Sequence, residues 1–282
     1  MWPRRTSQLR GILTTGLFLG LAVPVWALSP PPLLDPGVYL PPPPENTSPE
    51  TASELAELRA IAQTRTAARF ERAQHDDRVE DVTIFAEVFA PPIDFKLKPA
   101  TWALFRAVLK EETAASSGPK KLFQRARPWV LDPTIAHCAD AAEGSSYPSG
   151  HTSIGFATGI VLASIVPSKA QAILACANDY AYSRLVCGMH YRSDLVAGQV
   201  LGTMVSERFL SDPANKAQLE AAAAELGTVL QAASPAGPPA AAVATPPVFA
   251  TAAPDNAAAS ASNLPGAPTI TDKGKALGLG PR

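Results

Sequence analysis

Tyr147-Pro148-Ser149-Gly150-His151-Thr152 stands just ahead of an apolar run, Ile154 to Val166. The proline sets a turn, and Ser and Thr before an apolar stretch mark a helix start, so the motif is expected at a helix N-terminus. There the first backbone N–H groups lack intrahelical partners and carry partial positive charge, which suits a bound anion. Gly150 would let a tetrahedral oxyanion approach the backbone, and His151 brings an imidazole that exchanges protons near neutral pH. Alone, Ser-Gly-His is equally a cap and a turn. An anion site needs more positive charge and a second reactive group from elsewhere in the chain.

Outward from this motif, nearly every segment between about residues 48 and 232 reads as helix. Ser48 and Thr51 can cap a segment with Leu55, Leu58, Ile61, Ala62, Ala68 and Phe70 at helical spacing. Asp77 to Phe89 offers one apolar face through Val79, Val82, Phe85, Val88 and Phe89. Pro99 suits a first turn before Trp102, Leu104, Phe105, Val108 and Leu109. A short basic segment, Lys120 to Ala126, ends at Pro128, and a loop of turn formers leads to Pro148. After Val166 a helix from about Ser168 through Tyr182 stops at Gly188. Ser193 is the expected cap of the next, Leu195 to Leu210, and Ala214 to Ala232 is alanine-rich and amphipathic. No stretch alternates as a strand and no repeat is visible. The expected fold is all-α, a compact helical bundle with its site between core helices and their connecting loops. The apolar runs at 154–166 and 195–205 fall short of the ~20 residues of a membrane crossing and read as buried core helices.

Three clusters carry the chemistry. Lys120 is followed seven residues on by Arg127-Pro128, about two helical turns, so both cations are expected on one face. The second cluster is Pro148-Ser149-Gly150-His151. The third is Ser183-Arg184, then His190, then Asp194. Each has a bland counterpart: Lys120 a solvated charge, Arg127 a partner for a helix C-terminus, His190 a packed core histidine. Yet two of only four histidines fall inside the clusters.

The ordered set Lys-x6-Arg-Pro, Pro-Ser-Gly-His, Ser-Arg-x5-His-x3-Asp resembles the acid phosphatase superfamily that includes type 2 phosphatidic acid phosphatases and vanadium haloperoxidases. All its fixed positions are present. Tyr39-Leu40-Pro41-Pro42-Pro43-Pro44, Ser146 to Thr152 and Ser183 to His190 look like the bacterial class A non-specific acid phosphatases, a likeness spanning roughly residues 37 to 230. The long Ala/Pro-rich C-terminal stretch and Tyr191-Arg192 depart from that class.

The resemblance implies roles. Lys120, Arg127 and Arg184 would bind phosphate oxygens, arginine by paired charge-assisted bonds, with Ser149 and the Gly150 N–H completing the cradle. His190 would be the nucleophile that forms a phosphohistidine, with Asp194 holding its other ring N–H. His151 would protonate the leaving alkoxide and then activate water. Neutral His190 and protonated His151 are wanted together, which implies an acidic-to-neutral bell-shaped profile. No cofactor is expected. There is no His-Glu-x-x-His or paired-carboxylate set, and three cations would repel a metal. Of the three cysteines, Cys138 precedes the opening motif and Cys187 lies inside the third cluster. In an oxidising compartment a Cys138–Cys187 disulfide would pin two loops of the site, and Cys176 is then left over.

The ends read differently. Arg4, Arg5 and Arg10 precede an apolar stretch, Gly11 to Val23, and small residues at Val25 and Ala27 fit cleavage after Ala27, so residues 1–27 are expected to be a signal peptide. A single membrane anchor is the counterpart, but the run is short for one. Residues 28–47 form a proline-punctuated arm, 48–232 the folded domain, and 233–282 an Ala/Pro-rich tail without the large apolar residues of a core, expected to be disordered. The product would be periplasmic or secreted.

With 282 residues, 46% of them hydrophobic, and a net charge of -1, the chain has the composition of one globular core. No basic run calls for nucleic acid. The expected partners are small phosphate monoesters, with no stable membrane span after cleavage and a possible homo-oligomer through leftover apolar faces. Two alternatives share the superfamily's cradle, a lipid phosphate phosphatase and a vanadate-dependent haloperoxidase. A third, of a different class, is a non-catalytic phosphate-binding envelope protein.

Overall fold

A helix with no polar face has to be surrounded, and the run after the opening motif is such a helix. The computed structural model describes residues 36–138 and 144–232. The expected leader, the first part of the arm and the C-terminal stretch lie outside these residues. In chain order the α-helices are α1 (Pro36–Tyr39), α2 (Pro49–Thr64), α3 (Ala67–Asp77), α4 (Pro99–Phe123), α5 (Pro128–Leu131), α6 (Gly150–Ile165), α7 (Ala170–Val186), α8 (Arg192–Ser211) and α9 (Lys216–Ala232). Among the described residues there is no strand, and no helix is long and apolar enough to cross a membrane. The fold is all-α.

Helix α6 is central, buried continuously from Thr152 through Gly159 and again at Val161 and Leu162. It packs chiefly on α8 and α7, with α4 also against it and α9 against α4. The α6–α8 contact is backbone to backbone. A Cβ on Gly198 would lie 2.6 Å from the Ser149 carbonyl oxygen, and one on Gly202 would lie 2.5 Å from that of Ser153. Two glycines one turn apart on α8 thus let it press against the start of α6. The surrounding core is drawn from Phe85, Phe95, Leu104, Phe105, Val108, Leu201, Val205 and Phe209. Residues 36–47 are not a free extension: Leu40 is in the core, and the Tyr147 hydroxyl donates to the Pro41 carbonyl.

Several boundaries differ from expectation, each for a local reason. The first run is two helices, because Thr66 accepts from Arg69 N–H at 3.1 Å and starts α3 anew. The 77–89 face is instead a 3-10 segment, Val82–Val88, begun by Asp81, whose carboxylate accepts from Thr83 N–H at 2.8 Å. Helix α4 runs through Pro119 to Phe123 and stops at Gln124, which is left-handed with φ of 43°. Lys120 and Arg127 therefore do not share a helical face. Helix α7 stops before Gly188, whose φ of +64° and crowding against the Ala136 carbonyl suit glycine alone. The cap of α8 is Tyr191 and not Ser193, since the Asp194 carboxylate reaches back to accept Tyr191 N–H at 2.9 Å.

Candidate active site

Each functional side chain sits at an end of an element. His190 lies in the turn between α7 and α8 and is almost wholly buried. Its Nδ1 is 2.8 Å from the Ser146 carbonyl oxygen and 3.4 Å from Asp194 Oδ2, while its Nε2 is 3.0 Å from Arg127 Nη1. A carbonyl can only accept and a guanidinium can only donate, so the proton is on Nδ1 and the lone pair on Nε2. Burial, then Arg127, Arg184 and Lys120, hold the ring well below the usual imidazole range. The geometry and the electrostatics both favour a neutral His190 with its lone pair on Nε2. The nearer holder of its N–H is the Ser146 carbonyl, with Asp194 a step further off.

The cations converge from three elements. Lys120, in the last turn of α4, donates to the Pro148 carbonyl at 2.9 Å, and burial followed by Arg127 lowers it to about 8. Arg127, just before α5, donates to the Met189 carbonyl at 3.0 Å, and burial lowers it to about 10. Arg184, near the end of α7, is buried and paired through Nη2 with Asp77 Oδ1 at 2.7 Å. Arg127 Nε and Arg184 Nε and Nη1 are buried with no hydrogen-bond partner. Buried cationic N–H groups left without acceptors are costly, and an anion with several oxygens would satisfy them.

At the start of α6, Ser149 is the N-cap, with Oγ accepting from Thr152 Oγ1 at 3.0 Å and the Ser149 N–H donating to the Asp194 carbonyl at 3.0 Å. Gly150 opens the first turn beside Lys120, whose Cε would be 3.9 Å from an added Cβ. His151 follows on α6, but both its ring nitrogens are taken by the 77–80 segment: Nε2 is 3.1 Å from the Asp77 carbonyl oxygen and Nδ1 is 3.2 Å from Glu80 Oε1. Burial and then Arg184 push its pKa well below 6.5. Two acceptors around one ring suit its doubly protonated form, so the packing and the electrostatics oppose each other until the neighbouring positive charge is compensated.

Cys138 and Cys187 form a disulfide, and Cys138 N–H also donates to the Cys187 carbonyl at 3.1 Å. Cys176 is free and partly buried, and burial raises its thiol to about 12. Sequence reasoning missed Arg125, Glu54, Ser146, Asp77 and Glu80. Arg125 is visible in the sequence only as one of the charges in the basic segment and Ser146 only as the first residue of the Ser146 to Thr152 stretch, while Glu54, Asp77 and Glu80 lie far from the motifs. A cavity of about 650 Å³ opens beside the cradle, lined by Lys120, Lys121, Gln124, Arg127 and Trp129.

Three cations, a helix N-terminus and a neutral imidazole in an all-α bundle make a site chemically suited to a phosphoryl group. The chain belongs to the PAP2 superfamily, whose model matches residues 100–216. Within it, it is an acid phosphatase, similar to curated proteins of that name. The non-specific acid phosphatase of Salmonella typhimurium is 30% identical over 198 residues, 67% of this chain and 78% of that one. The acid phosphatase of Zymomonas mobilis subsp. mobilis is 30% identical over 176 residues, 60% of this chain and 67% of that one. Among solved structures, a transmembrane PAP2 type phosphatidylglycerolphosphate phosphatase from Bacillus subtilis aligns with a TM-score of 0.44 and 17% identity, over 64% of this chain and 90% of that one.

Proposed function

We propose that this phosphatase hydrolyses phosphate monoesters through a phosphohistidine on His190, without a metal, after export from the cytoplasm. The observation that carries the proposal is the set of buried, unpartnered N–H groups on Arg127 and Arg184 beside a neutral His190 whose Nε2 lone pair faces the same cradle. A phosphate dianion would take those donors and displace Arg127 from Nε2. His190 Nε2 then attacks phosphorus as the ester oxygen leaves. Charge spreads over the phosphoryl oxygens in that transition state, where Lys120, Arg127, Arg184, Ser149 Oγ and the Gly150 N–H bind more strongly than in the ground state.

The bound dianion offsets the positive field of Arg184 and Arg127 at His151, so the ring recovers its second proton and gives one to the leaving alkoxide. Neutral again, it takes a proton from water, which attacks the phosphohistidine and frees His190. In the metal-free route, Lys120, Arg127 and Arg184 supply the positive charge that a metal ion would otherwise bring to the phosphoryl oxygens. Export rests on the N-terminal leader pattern and accords with the disulfide.

The test is turnover of p-nitrophenyl phosphate by purified wild type and His190→Ala, with trapping of enzyme-bound phosphate by an alkaline, denaturing quench, in which the P–N bond of a phosphohistidine survives. Wild type should turn over and trap phosphate on His190, while the variant should do neither yet still bind inorganic phosphate. Wild-type activity that survives in His190→Ala would overturn the proposal, and so would activity that EDTA abolishes until a divalent ion is restored.

A further inference from the structure

The nucleophile's N–H rests on a main-chain carbonyl, and that carbonyl is itself held. Ser146 meets the site through three atoms. Its N–H donates to the Arg125 carbonyl at 2.9 Å, its hydroxyl donates to Asp194 Oδ2, and its carbonyl accepts from His190 Nδ1 at 2.8 Å. Arg125 grips the other side of Asp194, with Nη1 donating to Oδ1 and to Ser193 Oγ, both at 2.7 Å. Its second nitrogen, Nη2, donates to Glu54 Oε2 at 2.8 Å and to Thr51 Oγ1 at 3.3 Å, and the guanidinium lies 3.9 Å over the Tyr191 ring. Glu54 closes the loop by accepting Ser193 N–H at 2.7 Å through Oε1. Arg125 is only 4% exposed and Asp194 0% exposed.

We propose that Arg125, with Glu54 behind it and Ser146 ahead of it, is a positioning relay that fixes His190 for attack: Asp194 acts on the imidazole through Ser146, and the Arg125–Glu54 pair sets how much of the Asp194 charge His190 feels. The relay rests on the assignment of His190 as nucleophile. The hydrogen bonds of its three members described above go to Asp194, Ser193, Thr51, His190 and one another. They hold the acceptor of the Nδ1 proton in place and, through it, the direction of the Nε2 lone pair. Helix α2 thereby becomes part of the site, because it delivers Glu54 and Thr51 to Arg125.

The charges facing His190 are Lys120 from α4, Arg127 from the segment before α5, Arg184 from α7, His151 from α6 and Asp194 from α8. Removing the Arg125 charge leaves Asp194 less compensated, which favours protonated His190 and moves the acid limb of kcat/KM to higher pH. Neutralising Glu54 frees more of the Arg125 charge to compensate Asp194 and moves that limb to lower pH. A merely structural role gives no opposed pair of shifts.

The experiment compares wild type with Arg125→Met, Arg125→Lys, Glu54→Gln and Ser146→Ala, using p-nitrophenyl phosphate from pH 4 to 8 per folded molecule, with phosphohistidine trapping. Arg125→Met should lower kcat on the order of tenfold to a hundredfold, as expected for one charge-assisted bond, with KM changed less. Its acid limb should rise by about half a pH unit while that of Glu54→Gln falls, and Arg125→Lys should recover part of kcat. If Arg125→Met does not fold, the nearly isosteric Glu54→Gln and Ser146→Ala still decide the matter: an unmoved acid limb and wild-type kcat in both overturn the relay. Absence of trapped phosphate on wild-type His190 would instead overturn the nucleophile assignment on which it rests.

Discussion

At the scale of single residues, the two histidines differ because their partners differ. His190 faces one acceptor and one donor, so a single proton satisfies it, whereas His151 faces two acceptors in a positively charged surround. On the proposed mechanism His151→Ala should lose leaving-group protonation, worth about 10² to 10⁴ in rate. The loss should be larger for an alkyl phosphate than for p-nitrophenyl phosphate, whose anion leaves unaided. Equal losses on both esters would remove His151 from the acid role.

The same contrast sets the pH dependence. In the free enzyme, which kcat/KM reports, the depressed His151 loses its proton below the ordinary imidazole range, so the alkaline limb of kcat/KM should lie on the acid side of about 6.5. In the complex the bound dianion raises His151, and kcat should persist to higher pH than kcat/KM. Steady-state kinetics from pH 4 to 8 check this, and coincident alkaline limbs would contradict it.

At the scale of elements, the close approach of α8 to α6 fixes the backbone at Ser149 and Gly150. Gly198→Ala would place a methyl group 2.6 Å from the Ser149 carbonyl and 2.9 Å from Thr152 Cβ. It should cost about 1–3 kcal/mol of stability and lower kcat as well, because the displaced backbone belongs to the proposed phosphate cradle. Gly227→Ala on α9 is the control: its Cβ meets nothing within 4 Å, and it should gain up to about 1 kcal/mol in helix propensity with activity unchanged. Thermal melts and p-nitrophenyl phosphate assays on both variants separate the two effects. Helix ends were the least readable elements. Lys120 and Arg127 do converge, but through a left-handed break at Gln124 that seven-residue spacing cannot reveal. Tyr191 caps α8 because Asp194 reaches back to it, a contact that competes with Ser193 only once the turn is formed.

At the scale of the whole molecule, one covalent link ties together the two segments that deliver the motifs. The Cys138–Cys187 bridge spans a sequence separation of 49, and its removal should cost about 4 kcal/mol through loop entropy in the unfolded chain. Thermal unfolding with and without reductant, and of the Cys138→Ser, Cys187→Ser double variant, measures it. An unchanged Tm would show that the bridge contributes nothing in solution.

The fold class, the burial of the helix after Pro148-Ser149-Gly150-His151, and the residue types of the candidate site were legible in the linear chain. Helical periodicity, capping residues and the spacing of the few histidines relative to particular arginines are local signals, and they survive in a linear chain. Folding alone reveals which carbonyl holds His190, which carboxylate restrains Arg184, and that Arg125 and Glu54 stand behind Asp194. Those contacts join residues far apart in the chain, where spacing carries no information and where burial sets both the protonation states and the partners.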